Sequence, residues 1–504
     1  MSNSWVNVMS LATLREAGSV VVRKSGKQIA LFFHHGTVFA CNNRCPHEGF
    51  PLSEGTLDKQ CVITCNWHNW KFNLINGENL YRGEKLRVYP VEIRDGDVWL
   101  NLSDPLPENR RVTILDGLRS AFDVHDYERL AREISRWQKA EGDPVDIIKQ
   151  AISWTFDRLE FGWTHAYAGA ADWLTLYDEY AGDRESQLIC ILEAVGHIAF
   201  DALREPHHPF SAVTPRPYEE AAFLSAIEDE NEDYAIALVR GALSSGLEFE
   251  HLEPALTKAA LNHYNDFGHC LIYVNKARTL IERLGEEVAE PLLMSLTRSL
   301  VYATREDLIP EFRQYAQAIG QWGQDAEGEL PEPQEIRRLS INKVLNRTVL
   351  ASNHPPPRLF QSLLGANALS MLGFDIDYQY LIDAPVSSNV GWLDFTHSIT
   401  FADAVWKNCH RYPVTWPGAL LQLACFIGRN ASFTQRELNG ASWHVDNVDQ
   451  FFSQEVERLF DHAREDYIVS VHLLKTLLAA RSLVSSGASG ASAPADQLLD
   501  PAYS

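Results

Sequence analysis

The sequence predicts a multidomain protein in which a small antiparallel β domain precedes a large all-α helical domain. Alternating apolar residues mark short strands before residue 104, and apolar residues recur at helical spacing from residue 126 to residue 484. A proline-containing, charged segment at residues 104–111 separates the two patterns. We therefore predict domains at residues 1–105 and 106–485, with the small and polar residues 486–504 as a disordered tail.

The β domain is predicted from short alternating runs that turn residues such as Asp95-Gly96 separate. Gly49, Gly55 and Gly77 are expected in turns that need a positive φ angle. The predicted strands lie at residues 19–23, 28–33, 37–41, 88–93 and 98–102.

The helical domain is predicted from segments with Leu, Ile, Ala or aromatic residues at positions i, i+3, i+4 and i+7. No repeat of fixed period is evident. The segments lie at residues 126–141, 187–204, 217–245, 253–265, 269–285, 289–304, 306–321, 333–346, 358–372, 415–428, 445–463 and 465–484.

The most informative motif is a pair of short phrases, Cys45-Pro-His47 and Cys65-Asn-Trp-His68. Each phrase supplies one thiolate and one imidazole. A Rieske-type [2Fe–2S] cluster needs two thiolates on one iron and two imidazoles on the other, so the two phrases satisfy it. The alternative is a zinc site, because zinc also binds Cys2His2 sets at many spacings.

The residues around these ligands decide between the two interpretations. The stretches CPHEGFPLSEG and CVITCNWHNWKFNLINGE resemble the soluble Rieske ferredoxins and the Rieske domains of oxygenases, and the resemblance covers about residues 1–103. It implies a [2Fe–2S] cofactor bound by Cys45, His47, Cys65 and His68. It also implies that electrons leave through the exposed side of the cluster, at His47 or His68.

Two side chains near the second phrase predict a low reduction potential. In the high-potential respiratory type, Ser and Tyr hydroxyls follow the second His and donate hydrogen bonds that raise the potential. Trp70 and Phe72 stand at these positions here, and neither has a hydroxyl. Cys41 and Cys61 lie outside the loops where that type places its disulfide, so buried thiols are the favoured interpretation and a bracing disulfide the alternative.

Composition excludes several classes of partner. The net charge of −23 disfavours nucleic acid and anionic membranes. The sequence contains no uninterrupted apolar run of the ~18 residues that a membrane span needs, and its first residues lack the features of a signal peptide. Eight cysteines, four of them expected to be reduced or cluster-bound, predict a cytoplasmic protein. The first 105 residues carry 11 Lys and Arg against 10 Asp and Glu, so the acidic surplus lies in the helical region.

A Rieske cluster moves single electrons, so the helical region must contain or contact their recipient. The compact Asp or Glu, His, His signature of the well-known Rieske oxygenases is not found after residue 105. Several apolar segments instead carry a histidine where a plain core would have leucine. Burying unpaired imidazoles is costly, and a shared metal would satisfy several of them together. These candidate metal ligands are His165, His197, His263, His269, His397 and His472.

Four phrases of this region resemble, in chain order, the questin-oxidase-like family of helical metal-dependent oxidases. They are Trp163-Thr-His165, Phe267-Gly-His269-Cys-Leu-Ile-Tyr273, Thr396-His397-Ser-Ile-Thr-Phe-Ala-Asp-Ala and Val471-His472-Leu-Leu-Lys475. The resemblance implies a His-rich site that binds iron and uses O2 to open aromatic polyketide rings or insert oxygen into them. Tyr273 departs from the family pattern, which has a second histidine at that position.

Spacing alone also supports a dinuclear alternative. Asp266-x-x-His269 and Asp394-x-x-His397 place a carboxylate and an imidazole three residues apart on a helix, as in dinuclear iron bundles, with Glu193 as a bridge. Either aspartate is alternatively a helix cap. We rank a mononuclear iron above this arrangement.

Two further interpretations concern the surroundings of this site. Lys475 is either a carbamylated ligand or a surface lysine, of which we favour the second. Aromatic side chains are expected to line a mostly apolar pocket. They are Trp163, Tyr167, Tyr264, Tyr273 and Trp392.

These observations together predict an iron-dependent oxygenase with its own electron relay. An external reductase or ferredoxin would reduce the cluster, and the electrons would reach a non-haem iron. The catalytic residues His165, His269 and His397 would hold this iron. The iron site would oxidise a small organic substrate with O2. The competing prediction is an electron carrier or redox sensor whose helical domain is a docking scaffold. The sequence leaves the oligomeric state and the substrate open.

Overall fold

The computed structural model describes residues 5–81, 83–204, 206–381, 390–461 and 466–488. Packing divides the chain into two compact units, Met1–Ser120 with Lys139–Glu141, and Ala121–Gln138 with Gly142–Ser504. The predicted fold class is confirmed, because antiparallel sheets lie in the first unit and helices dominate the second. The limits predicted at residues 105 and 485 stay predictions, and the predicted tail lies outside the described residues from position 489 on.

Nine strands are found among the described residues. They are β1 (Trp5–Ser10), β2 (Ser19–Lys24), β3 (Lys27–His34), β4 (Thr37–Asn42), β5 (Thr56–Leu57), β6 (Val62–Thr64), β7 (Lys71–Asn73), β8 (Val91–Arg94) and β9 (Asp97–Asn101). They pair antiparallel in three sheets of order β1-β9-β8, β2-β3-β4 and β5-β6-β7. The third sheet, which frames one ligand phrase, was not predicted, because its strands are too short to show alternation.

Glycines shape the turns of this unit in two different ways. Gly49 and Gly77 have φ angles of +79° and +76°, as predicted. The prediction for Gly55 is wrong, since its φ is −76°. Glycine is needed there for close approach instead, because a Cβ would lie 2.4 Å from the carbonyl oxygen of Thr64.

Nineteen α-helices are found in the described residues. They are α1 (Leu11–Ala17), α2 (Pro107–Phe122), α3 (Tyr127–Lys139), α4 (Val145–Thr155), α5 (His165–Glu179), α6 (Arg184–Arg204), α7 (Glu220–Glu228), α8 (Glu232–Ser244), α9 (Phe249–Asn262), α10 (His269–Leu284), α11 (Ala289–Val301), α12 (Gln314–Gln321), α13 (Pro333–Ile336), α14 (Ile341–Leu350), α15 (Pro356–Leu372), α16 (Trp392–Arg411), α17 (Trp416–Asn430), α18 (Val448–Phe460) and α19 (Tyr467–Ser485).

Two predicted segments each contain two helices, since 333–346 covers α13 and the first part of α14. The segment 217–245 contains α7 and α8, and Asn231 separates them. The Asn231 side chain accepts a hydrogen bond from the backbone N–H of Tyr234 and so caps the start of α8. Apolar periodicity continues across the break, which is why the pattern alone did not reveal it.

Helices α6 and α19 are long and apolar enough to cross a membrane by length and composition alone. In each, 61% of the apolar stretch is buried inside the protein, as in the core helices of globular proteins. Both helices also carry buried polar residues, among them His197 on α6 and His472 on α19. Helix α19 packs against α5 and α16, and α10 packs against the same two helices, so these four form the centre of the helical unit.

Two candidate metal centres

The two cysteine–histidine phrases fold into loops that close in the same way. In each loop the N–H of the cysteine, Cys45 or Cys65, donates to the carbonyl five residues later, at 2.8 and 2.7 Å. The cysteine carbonyl accepts from the N–H four residues later, on Gly49 in one loop and Asn69 in the other, both at 2.8 Å. Gly49 and Asn69 are left-handed, with φ angles of +79° and +61°. The loops therefore present their ligands as a matched pair.

The four predicted cluster ligands lie together. Cys45 and Cys65 are buried, and the rings of His47 and His68 meet edge to face with centroids 4.8 Å apart. Burial raises the pKa of Cys45 to about 11, although the backbone N–H groups of His47 and Glu48 act in the opposite direction. Such donors to sulfur stabilise a thiolate, which is the form that binds iron.

This donor set fits a [2Fe–2S] cluster. The Nδ1 atom of His47 is buried and has no hydrogen-bond partner within the described part of the chain. An unpaired buried nitrogen is costly unless a ligand engages it, so this atom indicates a bond to metal. The side chains of His47 and His68 are 18% and 40% exposed, whereas the cysteines are buried, so the imidazoles form the accessible side of the site.

The structure adds a carboxylate that the sequence analysis missed. Glu48 lies between the two imidazoles, with its oxygens 3.6 Å from His68 Nε2 and 4.0 Å from His47 Nε2. The residue directly follows a ligand in the chain, but its position between both rings depends on the opposing loop.

The surroundings of the cluster loops are aromatic and apolar. The Trp70 ring stacks on His47 at 4.5 Å, and Phe72 is fully buried. All eight cysteines lie in described residues and are free thiols. Cys41 is buried as predicted, and burial raises its pKa to about 12, whereas Cys61 is half-buried.

A second site lies in the helical unit, where four histidines meet. His165 and His269 are the first residues of α5 and α10, whereas His397 and His472 lie inside α16 and α19. We call these four residues the histidine tetrad. The Nε2 atom of His269 lies 3.2 Å from that of His165 and 2.9 Å from that of His397. The Nε2 atoms of His397 and His472 are 3.4 Å apart.

Hydrogen bonds at the opposite ring nitrogens determine which atoms carry protons. His397 Nδ1 lies 2.7 Å from the Leu393 carbonyl, and His472 Nδ1 lies 2.6 Å from the Ile468 carbonyl. A carbonyl only accepts, so both Nδ1 atoms donate, and in the neutral rings both Nε2 atoms bear lone pairs. Two lone pairs 3.4 Å apart repel each other unless a cation or a hydrogen-bond donor engages them. Histidines that bind metal commonly donate their other N–H in this way.

The separations of the Nε2 atoms match the edges of a metal coordination polyhedron. Metal–nitrogen bonds of about 2.0–2.1 Å at angles between octahedral and tetrahedral place two ligand atoms about 2.9–3.4 Å apart. Three contacts, His165–His269, His269–His397 and His397–His472, span 2.9–3.4 Å. Ligand atoms of His165, His397 and His472 all lie within 4.8 Å of one another.

Electrostatics favour the neutral form of three histidines of the tetrad. Burial, followed by the nearby Lys475 amine, lowers the pKa of His165 and His397 well below the usual value. The same causes lower the pKa of His472 to about 2. Neutral imidazole is the form that binds metal, so burial keeps these three side chains in the form that can bind a cation.

Lys475 is not a surface residue, contrary to the favoured prediction. It is 2% exposed, and its Nζ lies 3.2 Å from His397 Nε2. Burial lowers its pKa well below the usual value, an effect that Asp172 opposes. The i+3 spacing from His472 places it on the inner face of α19, which only the packing of that helix revealed.

Two predicted ligands are not brought to the tetrad. His263 contacts carboxylates with both ring nitrogens, Asp307 at 2.8 Å and Glu228 at 2.9 Å. His197 stacks on the Tyr467 ring at 5.0 Å. Apolar periodicity marks all of these histidines alike, so it did not separate ligands from residues of other networks.

The carboxylates proposed for a dinuclear centre also lie elsewhere or serve as caps. Glu193 accepts a hydrogen bond from the Tyr127 hydroxyl at 2.6 Å. Asp394 caps α16 by accepting from the N–H of Gly391 at 3.0 Å. Asp266 lies 3.5 Å from His269 Nδ1, on the far side of the ring from the tetrad centre. Among the described residues, the ligand group around the tetrad contains imidazoles and no carboxylate.

Two of the five predicted aromatic residues contact the tetrad. Tyr273 stacks on His269 with centroids 5.4 Å apart, and Trp392 lies 6.3 Å from His472. Trp163 contacts Tyr273 at 5.7 Å. Tyr264 instead packs in the core against Phe312 at 4.8 Å. Tyr167 contacts Trp163 at 5.6 Å and hydrogen-bonds Thr155 through its hydroxyl at 2.7 Å.

The fold and site of the first unit define an iron–sulfur domain of the Rieske type, and comparison with known proteins agrees. The family model "Rieske [2Fe-2S] domain" matches residues 4–89. A 3-phenylpropionate/cinnamic acid dioxygenase ferredoxin subunit from Photorhabdus laumondii is 35% identical over 15% of this chain and 74% of its own length. The ferredoxin component of the naphthalene 1,2-dioxygenase/salicylate 5-hydroxylase systems from Ralstonia is 30% identical over 20% of this chain and 99% of its own.

A third relative is an enzyme in which the matched region forms only part of the chain. The 4beta-methylsterol monooxygenase of Methylococcus capsulatus is 32% identical over 20% of this chain and 31% of its own length. The chain therefore belongs to the Rieske [2Fe-2S] family through its first unit. These three alignments cover at most a fifth of the chain, so the resemblance of the helical region to the questin-oxidase-like family stays a prediction.

Proposed function

We propose that this protein is an oxygenase in which the Rieske cluster relays electrons to a non-haem iron held by the histidine tetrad. The observation that carries the proposal is a chain of three Nε2 contacts of 2.9–3.4 Å that links the four histidines, with backbone carbonyls holding two of the rings in the metal-binding tautomer. Burying several neutral imidazoles with their lone pairs facing one another is costly unless a cation or a hydrogen-bond donor engages them.

The donor set favours one iron rather than zinc or a pair of irons. Imidazole suits iron, copper and zinc, but zinc has no redox chemistry and could not accept electrons from the cluster. Dinuclear sites use bridging carboxylates, and Glu193 and Asp394 have other partners. A bound iron with an open coordination position would supply O2 activation.

The residues around the tetrad would bind and shield the substrate. Tyr273, Trp163 and Trp392 offer aromatic surface for a small apolar or aromatic compound. Lys475 holds an amine 3.2 Å from His397 Nε2, where it would donate a hydrogen bond to a polar group of a bound substrate. Reduced thiols throughout the chain fit a cytoplasmic location.

The proposed reaction needs an external electron donor. A [2Fe–2S] cluster carries one electron at a time, so a reductase or ferredoxin must reduce it repeatedly during each turnover. Two of the relatives are ferredoxin components of dioxygenase systems, which supports exchange of electrons with a protein partner.

The same relatives favour a second candidate function. Because the matched region is a ferredoxin-like module, the chain would alternatively be an electron carrier or redox sensor whose helical unit serves for docking. The two functions differ in metal content.

Metal analysis of protein prepared anaerobically with iron separates them. We expect about three irons per chain for the oxygenase and about two for the carrier. His397→Ala should lower the count to about two, while the EPR signal of the reduced cluster stays intact. His410→Ala is the matched control, because His410 lies on the same helix with its ring bonded to the Trp406 carbonyl. A wild-type protein that never exceeds two irons would reject the oxygenase.

A further inference from the structure

The segment before His269 has an unusual backbone. Asp266, Phe267 and Gly268 have φ angles of +44°, +50° and +73°, so three consecutive residues are left-handed directly before α10 begins. Residues other than glycine adopt this conformation singly, and strained backbone persists only where its surroundings enforce it. We call residues 266–268 the left-handed turn.

A neighbouring segment fixes this turn. The N–H of Asp266 donates to the Thr304 carbonyl at 3.0 Å. The N–H of Phe267 donates to the Glu306 carboxylate at 3.2 Å. Glu306 is 4% exposed, and its other oxygen accepts from Arg429 at 2.7 Å.

Aromatic contacts join the turn to the tetrad. The Arg429 guanidinium lies 3.6 Å from the centre of the Phe267 ring, which itself lies 5.7 Å from the His397 ring. A Cβ on Gly268 would lie 2.5 Å from the ring of Phe401, which is one helical turn after His397 on α16. Gly268 thus permits the close approach of α16 that brings His397 to 2.9 Å from His269.

We propose that Glu306 and Arg429 are positioning residues for the second metal centre, acting on His269 through the left-handed turn. This inference rests on the proposed function. Glu306 is buried and Arg429 is partly buried. The pair reaches none of the four imidazoles through a described hydrogen bond, and it holds both the backbone and the ring of the residue two positions before His269. Without it the turn would relax toward ordinary backbone angles, and His269 would leave the tetrad.

The double variant Glu306→Gln/Arg429→Met tests the inference. It removes both charges together, because removing only one would leave a buried ion unpaired and destabilise the fold. We expect the Kd for Co2+ at the tetrad to rise at least 10-fold and the Co2+ EPR spectrum to change, because the ligand geometry is altered. The cluster signal and the unfolding temperature of the Co2+-free protein should change little.

Another Glu–Arg ion pair with the same chemistry provides the control, with its glutamate partly buried and its arginine buried. Arg298 pairs with Glu232 at 2.7 Å and lies 3.8 Å from the centre of the Phe210 ring. Glu232→Gln/Arg298→Met should leave Co2+ affinity and the Co2+ EPR spectrum unchanged. Equal weakening by both double variants would indicate general destabilisation and overturn the inference.

The remaining outcomes separate this inference from the proposed function. Unchanged Co2+ binding in Glu306→Gln/Arg429→Met, together with its loss in His269→Ala, would overturn the positioning role alone. A wild-type protein that binds no Co2+ beyond the cluster site would reject the metal centre and the inference with it.

Discussion

The two candidate centres are built in opposite ways. The cluster ligands lie within residues 45–68 on two loops of one small β unit, with imidazoles at the surface. The tetrad gathers residues between positions 165 and 472 from four helices, and burial lowers the pKa of three of its histidines. Local sequence therefore specifies the first centre, and helix packing specifies the second. The first should withstand changes in the helices, whereas the second should respond to distant residues.

The largest expected effect tests this independence. Cys65→Ser should abolish the EPR signal of the reduced cluster, because the buried thiol is one of two thiolate ligands. The same variant should keep the metal bound at the tetrad, as metal analysis would show. Cys61→Ser is the control, since Cys61 is half-buried and lies outside the ligand phrases. Loss of both metals in Cys65→Ser would contradict the independence of the two centres.

The reduction potential tests how aromatic surroundings tune the exposed centre. Trp70 stacks on His47 and Phe72 is buried, so neither side chain provides the hydroxyl that raises the potential of respiratory clusters. We expect a midpoint near the bottom of the Rieske range, at roughly −150 mV rather than above about +200 mV. Protein-film voltammetry would measure it. A high value would show that other donors dominate at the sulfurs.

Glu48 should shift this potential by a smaller amount. Its negative charge lies 3.6 and 4.0 Å from the two ligand imidazoles and favours the oxidised, more positive cluster. Glu48→Gln should therefore raise the midpoint modestly, because solvent screens an exposed carboxylate. Glu54 lies in the short 3-10 helix Leu52–Glu54 and outside this contact. Glu54→Gln should therefore leave the midpoint potential unchanged. A lower potential in Glu48→Gln would reverse the assigned sign.

The smallest effect concerns His263, the predicted ligand that lies outside the tetrad. Burial lowers its pKa, but hydrogen bonds to Asp307 and Glu228 outweigh burial and raise it above the ordinary value of 6.5. Its contribution to stability should be complete below about pH 6.5 and disappear as the pH rises through the raised pKa. The difference in unfolding temperature between wild type and His263→Gln should shrink over that interval. A difference that grows with pH would contradict the assignment.

Spacing predicted the four cluster ligands as a set, but it did not predict the tetrad as a set. Cys45, His47, Cys65 and His68 were identified by two short phrases, and the structure places them together. In the helical unit, the six predicted histidines include the four of the tetrad, but the same pattern also selected His197 and His263. Helical periodicity reports which face of a helix is apolar and does not report which faces meet.

The sequence by itself determined the fold class and the absence of hydroxyls at Trp70 and Phe72, and it predicted the Rieske ligands. Each of these depends on residues close together in the chain. Only the tertiary structure decided that Glu48 lies between two imidazoles, that Lys475 is buried beside His397, and that a left-handed turn precedes His269. Contacts between distant segments produce these features, because the free energy of packing and the repulsion between lone pairs depend on three-dimensional position.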